Sequence, residues 1–167
     1  MEIRALVPSD AAAVLGIFAD GITYGHATFE TEPGTWDNWD ARFAPTCRLI
    51  AVDKGQALGW AALSPTSKRP IYAGVGEVSL YIAEAARGQG VGKALMAALI
   101  NASEEAGFWT LQAAIFPENE PSLALHKKFG FREFGRRERI GKMAMGPLKG
   151  QWRDVIYLER RSTLVGI

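Results

Sequence analysis

VSLYIAEAARGQGVGKAL, residues 78–95, is typical of a strand that runs into a glycine-rich turn and then directly into a helix. The helix is expected from about Gly90 to Ala106, with apolar side chains recurring at helical spacing on one face. Those side chains are Val91, Ala94, Leu95, Ala98, Leu99 and Ala102. A glycine turn at a helix start leaves several backbone N–H groups unpaired at the positive end of the helix. The stretch therefore predicts a site for a phosphate-bearing ligand.

Two nucleotide-binding patterns compete for this turn, and neither fits. A P-loop needs G-x-x-x-x-G-K followed by Ser or Thr, but Arg87 stands at the first glycine position and Ala94 replaces the magnesium-binding hydroxyl. A dinucleotide-binding turn needs G-x-G-x-x-G near the start of a βαβ unit, whereas these glycines follow G-x-G-x-G late in the chain. The turn therefore favours another class of phosphate-bearing ligand.

The whole chain, residues 1–167, predicts one α+β domain around a mixed sheet. Its hydrophobic fraction of 48% and charged fraction of 22% are ordinary for a globular domain of this length. Alternation and turn residues predict strands at 2–7, 48–52, 57–63, 75–83, 109–116, 131–139 and 152–160. Further helices are expected from Ser9 to about Gly21, over 35–43 with Thr35 as the cap, and from Asn119 to Gly130.

Charge and composition argue against several classes of function. The formal net charge is +1, and acidic residues interrupt the arginines of 132–139, so we expect no nucleic-acid or membrane partner. Cys47 sits among apolar residues and predicts a small buried side chain. His26 and His126 lack ligand spacing, so no metal is expected. No targeting segment or long apolar run is present in the sequence, which predicts a cytoplasmic protein.

Two motifs, in the right order and separation, carry a resemblance to a known family. Arg87-Gly88-Gln89-Gly90-Val91-Gly92 resembles the R/Q-x-x-G-x-G/A signature of the GCN5-related N-acetyltransferase (GNAT) superfamily. The stretch Asn119-x-x-Ser122-x-x-Leu125-His126-x-Lys128-x-Gly130-Phe131 resembles that family's next motif, N-x-x-A/S-x-x-L-Y/H-x-K-x-G-F. The resemblance implies the GNAT fold, a central mixed and mostly antiparallel sheet flanked by helices. It also implies acetyl-CoA as co-substrate.

Shorter motifs narrow the resemblance to one branch of this family. Thr28-Phe29-Glu30, Arg69-x-x-Tyr72, Glu77-x-Ser79-x-Tyr81 and Trp152-Arg153-Asp154-Val155 are similar to the phosphinothricin and methionine sulfoximine/sulfone acetyltransferases. The sequence departs from that pattern at Gly76, where a larger residue is expected, at Ser67-Lys68, and in the Met- and Gly-containing segment Lys142–Gln151. These departures bear on the acceptor more than on the chemistry.

The resemblance assigns residues to acetyl-CoA. The pyrophosphate would lie on the N–H groups of the turn beside the charge of Lys93. The pantetheine arm carries amides and would pair like a strand with the backbone of residues 80–82, while Asn119 either contacts the arm, caps its helix, or does both. The cofactor-binding residues are thus Leu80, Tyr81, Ile82, Arg87, Gly88, Gln89, Gly90, Val91, Gly92, Lys93 and Asn119.

The same motifs suggest how an amine would attack the thioester directly. Glu77 would act as general base, either directly or through water, since an amine is mostly protonated at neutral pH. Alternation places Glu77 and Tyr81 on one face of the strand and Val78 on the other, unless a bulge intervenes. A backbone N–H near Ile82 would stabilise the oxyanion. His126 would serve as the acid for the leaving thiolate, or is simply a satisfied helix histidine.

An amino-acid acceptor needs a cation for its carboxylate, which Arg69 would supply as a bidentate fork with Lys68 assisting. Phe29 and Tyr72 would wall the side-chain pocket or belong to the core. The substrate-binding residues are then Phe29, Lys68, Arg69, Tyr72, Glu77, Val78 and Ser79. Two alternatives remain: acetylation of a protein or peptide N-terminus, and a non-catalytic acyl-CoA-binding module. Apolar residues near the C-terminus, Val155, Ile156, Leu158 and Leu164 among them, predict a homodimer.

Overall fold

The computed structural model describes all residues from Met1 to Ile167. It contains seven strands: β1 (Glu2–Ala5), β2 (Arg48–Asp53), β3 (Gln56–Pro65), β4 (Val75–Ile82), β5 (Thr110–Ile115), β6 (Arg132–Lys142) and β7 (Trp152–Arg161). Four α-helices accompany them: α1 (Ala11–Tyr24), α2 (Trp36–Arg42), α3 (Val91–Glu105) and α4 (Glu120–Lys128). Single 3₁₀ turns lie at Pro8–Asp10, Pro70–Tyr72 and Glu84–Ala86. None of the four α-helices combines the length and the apolar composition that a membrane span requires.

The strands form one sheet in the order β1-β2-β3-β4-β5-β7-β6. Every neighbouring pair is antiparallel except β4 and β5, which are parallel. This arrangement confirms the predicted α+β class with a mixed, mostly antiparallel sheet. The parallel pair is short, because only Val75–Glu77 pair with Thr110–Gln112. Beyond Glu77 the two strands separate, which opens a gap in the middle of the sheet.

Apolar clusters cover both faces of the sheet. On one face α3 contributes Leu95, Met96 and Leu99, which are fully buried against the sheet. On the other face α1 packs Val14 and Phe18 against Trp60 of β3. The predicted apolar stripe of α3 is therefore confirmed, and the helix behind the glycine turn is fixed to the sheet by its own core.

The caps at Thr35 and Asn119 are confirmed. Thr35 Oγ1 accepts a hydrogen bond from Asn38 N at 3.3 Å, and Asn119 Oδ1 accepts one from Ser122 N at 3.3 Å. Gly130, past the end of α4, has a φ of +82°, the left-handed conformation that glycine adopts without strain. The local capping rules were therefore sufficient at these ends.

The first helix differs from its prediction at both ends. Ser9 makes no capping hydrogen bond, because residues 8–10 form a 3₁₀ turn in which Asp10 accepts from Val7 N at 2.9 Å. The helix also continues past Gly21 to Tyr24. A side chain at Gly21 would have its Cβ 2.6 Å from the ring of Tyr81, so this glycine permits close packing and does not end the helix.

The departure at Gly76 has a packing explanation. A Cβ at this position would lie 3.0 Å from the ring of Phe108. Phe108 is buried and belongs to the core cluster on the α3 face of the sheet. The volume that a larger residue would fill on the strand is thus occupied by this phenylalanine from the segment before β5.

Three of the four apolar residues that predicted a homodimer are not available for an interface. Val155, Ile156 and Leu158 are buried within the single chain, since β7 lies between β5 and β6 in the sheet. Only Leu164 of the four residues is exposed, at 71%. The oligomeric state itself stays a prediction. The arginines of β6 are exposed, and Arg136 pairs with Asp154.

Candidate active site

The gap between β4 and β5 leaves backbone groups of β4 unpaired. Ala83 N donates to Leu58 O, and Thr66 N donates to Val75 O, so the odd-numbered residues of β4 bond to β3. Antiparallel pairing alternates along a strand, and the even-numbered residues therefore direct their N–H and C=O groups towards β5. Because β5 has separated from β4 beyond Glu77, the backbone groups of Val78, Leu80 and Ile82 face the gap.

A cavity of about 570 Å³, which we call the turn cavity, lies at the glycine turn. Gly88 and Gly90 have φ values of +75° and +83°, and no side chain caps the start of α3. The first-turn N–H groups of this helix are therefore available to a phosphate. The residues at the turn thus fit the phosphate-bearing half of acetyl-CoA.

The turn cavity contains most of the predicted cofactor residues. They are Leu80, Tyr81, Ile82, Arg87, Gly88, Gly90, Val91, Gly92, Lys93 and Asn119. Gln89 is absent from the lining, because its side-chain Nε2 donates to Ala85 O at 2.7 Å. Tyr24 was missed by sequence reasoning. It joins the lining from the end of α1, with the guanidinium of Arg87 4.8 Å from its ring centroid.

A second cavity of about 450 Å³, which we call the Glu77 cavity, continues from the first. The residues that line both cavities are Ala27, Leu80, Tyr81, Asn119 and Ser122. The Glu77 cavity lies between the separated strands, with β4 residues on one side and Ala113 to Phe116 on the other. A ligand arm laid along β4 from the glycine turn would therefore end where the Glu77 cavity begins.

Glu77 is a half-buried carboxylate in the wall of this second cavity. Burial raises the pKa of the Glu77 carboxyl above its ordinary value, while the positive charge of Arg42 acts in the opposite direction. No hydrogen bond or ion pair within the chain involves this carboxylate. Glu77 is therefore a carboxylate without a structural partner, in a position and with a pKa suited to accepting a proton.

The expected alternation of side chains along β4 is observed, without a bulge in its pairing with β3. Tyr81 packs on the α1 face, with its ring centroid 4.9 Å from that of Phe18 and 4.9 Å from that of Trp60. Val78 belongs to the core on the α3 face. Burial raises the pKa of the Tyr81 phenol to about 12, so this group stays protonated.

His126 lies in the wall of the Glu77 cavity and is only 4% exposed. Its Nδ1 is 2.8 Å from the carbonyl oxygen of Ser122. A carbonyl only accepts hydrogen bonds, so the neutral ring carries its proton on Nδ1 and has a lone pair on Nε2, which has no partner. Burial lowers the pKa of His126, opposed by the hydrogen bond to Ser122, so the neutral ring is favoured at neutral pH.

Residues 26–30 form one wall of the Glu77 cavity. Two side chains from distant parts of the chain hold the start of this wall at Gly25 and His26. Asn119 donates from Nδ2 to His26 O at 2.9 Å while its Oδ1 caps α4. Arg153, 3% exposed, donates from Nη1 to Gly25 O at 3.1 Å and from Nη2 to Glu118 at 2.9 Å. Asn119 thus does more than cap its helix. Arg153, which the sequence analysis quoted in a branch motif without giving it a role, is a positioning residue.

Phe29 occupies the wall that the sequence suggested. Its ring centroid is 4.8 Å from that of Phe116 in an edge-on arrangement. Gly141 of β6 lies so close that a Cβ there would be 2.7 Å from the Phe29 ring. Phe29 can therefore pack this closely against β6 only because residue 141 has no side chain.

The structure does not bring the predicted carboxylate-binding residues into the cavity. Lys68, Arg69 and Tyr72 lie in the loop between β3 and β4, where they are exposed and line neither cavity. The Arg69 guanidinium lies 5.4 Å from the Tyr72 ring centroid. The cationic side chain in the cavity is Arg42 of α2, which the sequence analysis did not select.

Comparisons with known proteins agree with the family that the sequence motifs resemble. Residues 16–131 match the model of a family described as the acetyltransferase (GNAT) family. A phosphinothricin N-acetyltransferase of Streptomyces coelicolor is 30% identical, over 96% of this chain and 95% of the relative. An L-methionine sulfoximine/L-methionine sulfone acetyltransferase of Pseudomonas aeruginosa is 28% identical, over 95% and 92%.

A solved structure shows the same fold. The crystal structure of a GNAT superfamily phosphinothricin acetyltransferase from Sinorhizobium meliloti, in complex with AcCoA, superposes with a TM-score of 0.87. It is 27% identical in sequence, and the match covers 99% of this chain and 90% of the other. The similarity therefore extends over both cavities and not only over the glycine turn.

Proposed function

This chain belongs to the acetyltransferase (GNAT) family, and we propose that, as an acetyl-CoA-dependent N-acetyltransferase, it acetylates the α-amine of a small amino-acid analogue. The acceptor class is that of phosphinothricin, methionine sulfoximine and methionine sulfone, which the names of its relatives supply. One observation carries the proposal: a half-buried carboxylate without an internal partner, Glu77, faces a cavity that begins where the turn cavity ends.

Binding of acetyl-CoA would use the groups already described. The N–H groups from Gly88 to Lys93 would hold the pyrophosphate, and the unpaired backbone of Leu80 and Ile82 would pair with the amides of the arm. Bound there, acetyl-CoA supplies an activated acetyl thioester. The shared wall at Leu80 and Asn119 supports this placement, because it joins the turn cavity to the Glu77 cavity.

Glu77 would remove the proton that keeps the acceptor amine from attacking. A protonated amine has no lone pair, and a carboxylate with a raised pKa is a better general base than an ordinary one. The proton would pass to Glu77 directly or through one water molecule. The negative charge that develops on the acetyl oxygen would be stabilised by a backbone N–H of β4 near Ile82, which faces the gap.

His126 would be the proton donor to the leaving thiolate in its doubly protonated form only, because the neutral ring has no proton on Nε2. The demand on such an acid is small, since a thiol has a pKa of about 8.5. Water near the gap is therefore an equally adequate source of this proton, and we propose His126 as an assisting residue.

Phe29, Val78 and Ser79 would contact the acceptor, as all three line the Glu77 cavity. The earlier assignment of Lys68, Arg69 and Tyr72 to the acceptor requires their loop to reach a cavity from which it is separated in the single chain. In the predicted homodimer, a contact of this loop with the Glu77 cavity of the second copy would meet that requirement. This assignment is therefore a proposal that depends on the oligomeric state.

The experiment is an assay of thiol release from acetyl-CoA with a panel of acceptors. The panel contains phosphinothricin, L-methionine sulfoximine, L-methionine sulfone, simple amines and short peptides with free N-termini. We expect turnover of the amino-acid analogues well above that of peptides. Preferential acetylation of peptides would replace this proposal by the N-terminal acetyltransferase alternative. Binding of CoA without turnover of any amine would favour the non-catalytic module.

A further inference from the structure

The charges of the Glu77 cavity are few. Arg42 is the only lysine or arginine among its lining residues, and Glu30 and Glu77 are the only carboxylates. A small polar acceptor within this cavity has therefore one permanent cation available to it. Any anionic group on the acceptor would be attracted to that position.

The position of Arg42 is fixed by the packing of α2. Trp39, one turn earlier, is 3% exposed and lies against Trp60 with ring centroids 5.4 Å apart. Arg48 of β2 donates to Asp40 O and Ala44 O on either side of the helix end. Arg42 is the last residue of this anchored helix, so its side chain starts from a rigid backbone and extends into the cavity.

The guanidinium of Arg42 has two weak partners within the chain, the carboxylate of Glu30 and the ring of Phe43, whose centroid lies 5.3 Å from the guanidinium carbon. Its Nη1 is 3.5 Å from Glu30 Oε1, longer than the ~2.8 Å of a charge-assisted hydrogen bond. Both side chains are about half exposed, at 46% and 53%, where an ion pair contributes little. No other acceptor within the chain bonds to this guanidinium. Its planar fork of donors is therefore available for a carboxylate.

We infer that Arg42 binds the α-carboxylate of the acceptor and so restricts the substrate class to amines whose amine-bearing carbon also carries a carboxylate. The inference rests on the proposed function, because it concerns the acceptor of that reaction. In an α-amino acid the carboxylate and the amine are attached to one carbon. When Arg42 holds the carboxylate, the amine therefore lies beside that carboxylate, within the cavity that Glu77 also lines.

The charge distribution agrees with this arrangement. The positive charge of Arg42 is close enough to act on both Glu77 and Tyr81. A carboxylate bound to Arg42 would neutralise that charge and leave Glu77 a stronger base in the complex than in the free enzyme. The same contact would therefore select the acceptor and favour its deprotonation.

The experiment compares two acceptors that differ only in the carboxylate, L-methionine sulfone and its methyl ester, in the wild-type enzyme and in Arg42→Gln. We expect kcat/KM for the sulfone to fall by about 10- to 100-fold in Arg42→Gln, the usual effect of losing a hydrogen bond to a charged group. The value for the ester should change by less than about 3-fold. Arg42→Lys should recover part of the loss, because it restores the charge without the fork.

Two control variants complete the design. Arg132→Gln removes an arginine of β6 that pairs with Glu159 outside both cavities, and it should leave both kcat/KM values unchanged. Arg69→Gln tests the competing assignment of the carboxylate to the loop between β3 and β4. If Arg69→Gln reduces the preference for the sulfone and Arg42→Gln does not, the inference is wrong.

The remaining outcomes separate this inference from the proposed function. Equal losses for the sulfone and the ester in both Arg42→Gln and Arg42→Lys would show a general role of Arg42 and overturn the inference. A wild-type enzyme that acetylates sulfone and ester equally well would keep the proposed function and reject the role of Arg42. A wild-type enzyme that acetylates no amino-acid analogue would reject both.

Discussion

Arg153 Nη2 donates a hydrogen bond to His26 Nδ1 at 3.0 Å, although 127 positions separate the two residues in sequence. A guanidinium only donates, so His26 Nδ1 is an unprotonated acceptor and the neutral ring carries its proton on Nε2. The same guanidinium lies 4.1 Å from the ring centroid of Phe116. One buried arginine of β7 thereby connects the cavity wall at residues 26–30 to the end of β5.

Arg153→Met should destabilise the protein and loosen that wall. The substitution keeps an unbranched chain but removes the donors to Gly25 O and His26 Nδ1, which should lower the free energy of unfolding by about 2–4 kcal/mol. We also expect KM for the acceptor to rise more than KM for acetyl-CoA. Urea denaturation and steady-state kinetics measure the two effects. Arg136→Met is the control, since Arg136 forms an exposed pair with Asp154 on the neighbouring strand, and it should leave both properties nearly unchanged.

Glu77→Gln should remove the general base while preserving the shape of the cavity. We expect kcat to fall by about 10²- to 10⁴-fold, the usual contribution of a positioned base. Calorimetric titration with CoA should show unchanged binding, because the glycine turn is not affected. A variant that retains most of its activity would contradict the assignment of Glu77.

The pH dependence of kcat/KM gives a second test of Glu77. The carboxyl must be ionised to accept a proton, so activity is lost as the pH falls through its pKa. Because burial raises this pKa, with Arg42 opposing, the loss in the wild-type enzyme should begin at a higher pH than for an ordinary glutamate. Glu77→Gln should lack this acidic limb. An acidic limb of the same position in the variant would have to come from another group.

Gly90→Ala should weaken acetyl-CoA binding through the backbone. Gly90 has a φ of +83° in the turn, and an alanine there costs about 1–2 kcal/mol or shifts the N–H groups of the turn. Gly55→Ala is a matched control, because Gly55 has a φ of +81° in the β2–β3 hairpin and no heavy atom would lie within 4 Å of the added Cβ in either variant. Both variants should lose similar stability. Only Gly90→Ala should raise the Kd for CoA, by about 10-fold, and an equal rise in both would contradict the role of the turn.

Gly141→Ala should displace the Phe29 wall of the Glu77 cavity. The new Cβ would lie 2.7 Å from the Phe29 ring, which must move towards the cavity or away from it. Gly135→Ala on the same strand is the control, since no heavy atom lies within 4 Å of its added Cβ. We expect Gly141→Ala to change KM for the acceptor by about 5- to 10-fold with little change for acetyl-CoA. Equal kinetics in the two variants would show that Phe29 does not contact the acceptor.

Local rules predicted much of this protein from its sequence. The glycine turn, the apolar stripe of α3 and the caps at Thr35 and Asn119 depend on neighbours within a few residues, and the structure confirms them. The end of α1 was mispredicted because Gly21 serves a contact with Tyr81, a residue that is distant in sequence. A glycine needed for close packing looks the same in sequence as one that ends a helix.

The sequence by itself determined the family, the sheet that carries the glycine turn, and the carboxylate on the strand before it. Periodicity and motif spacing contain that information because they describe the chain one segment at a time. Only the tertiary structure decided which cation shares a cavity with Glu77. The separation of β4 from β5 opens the cavity, and the hydrogen bonds of Arg153 hold one of its walls. The anchoring of α2 by Trp39 places Arg42 at this cavity, while Arg69 stays outside. All of these features depend on segments that are distant in sequence.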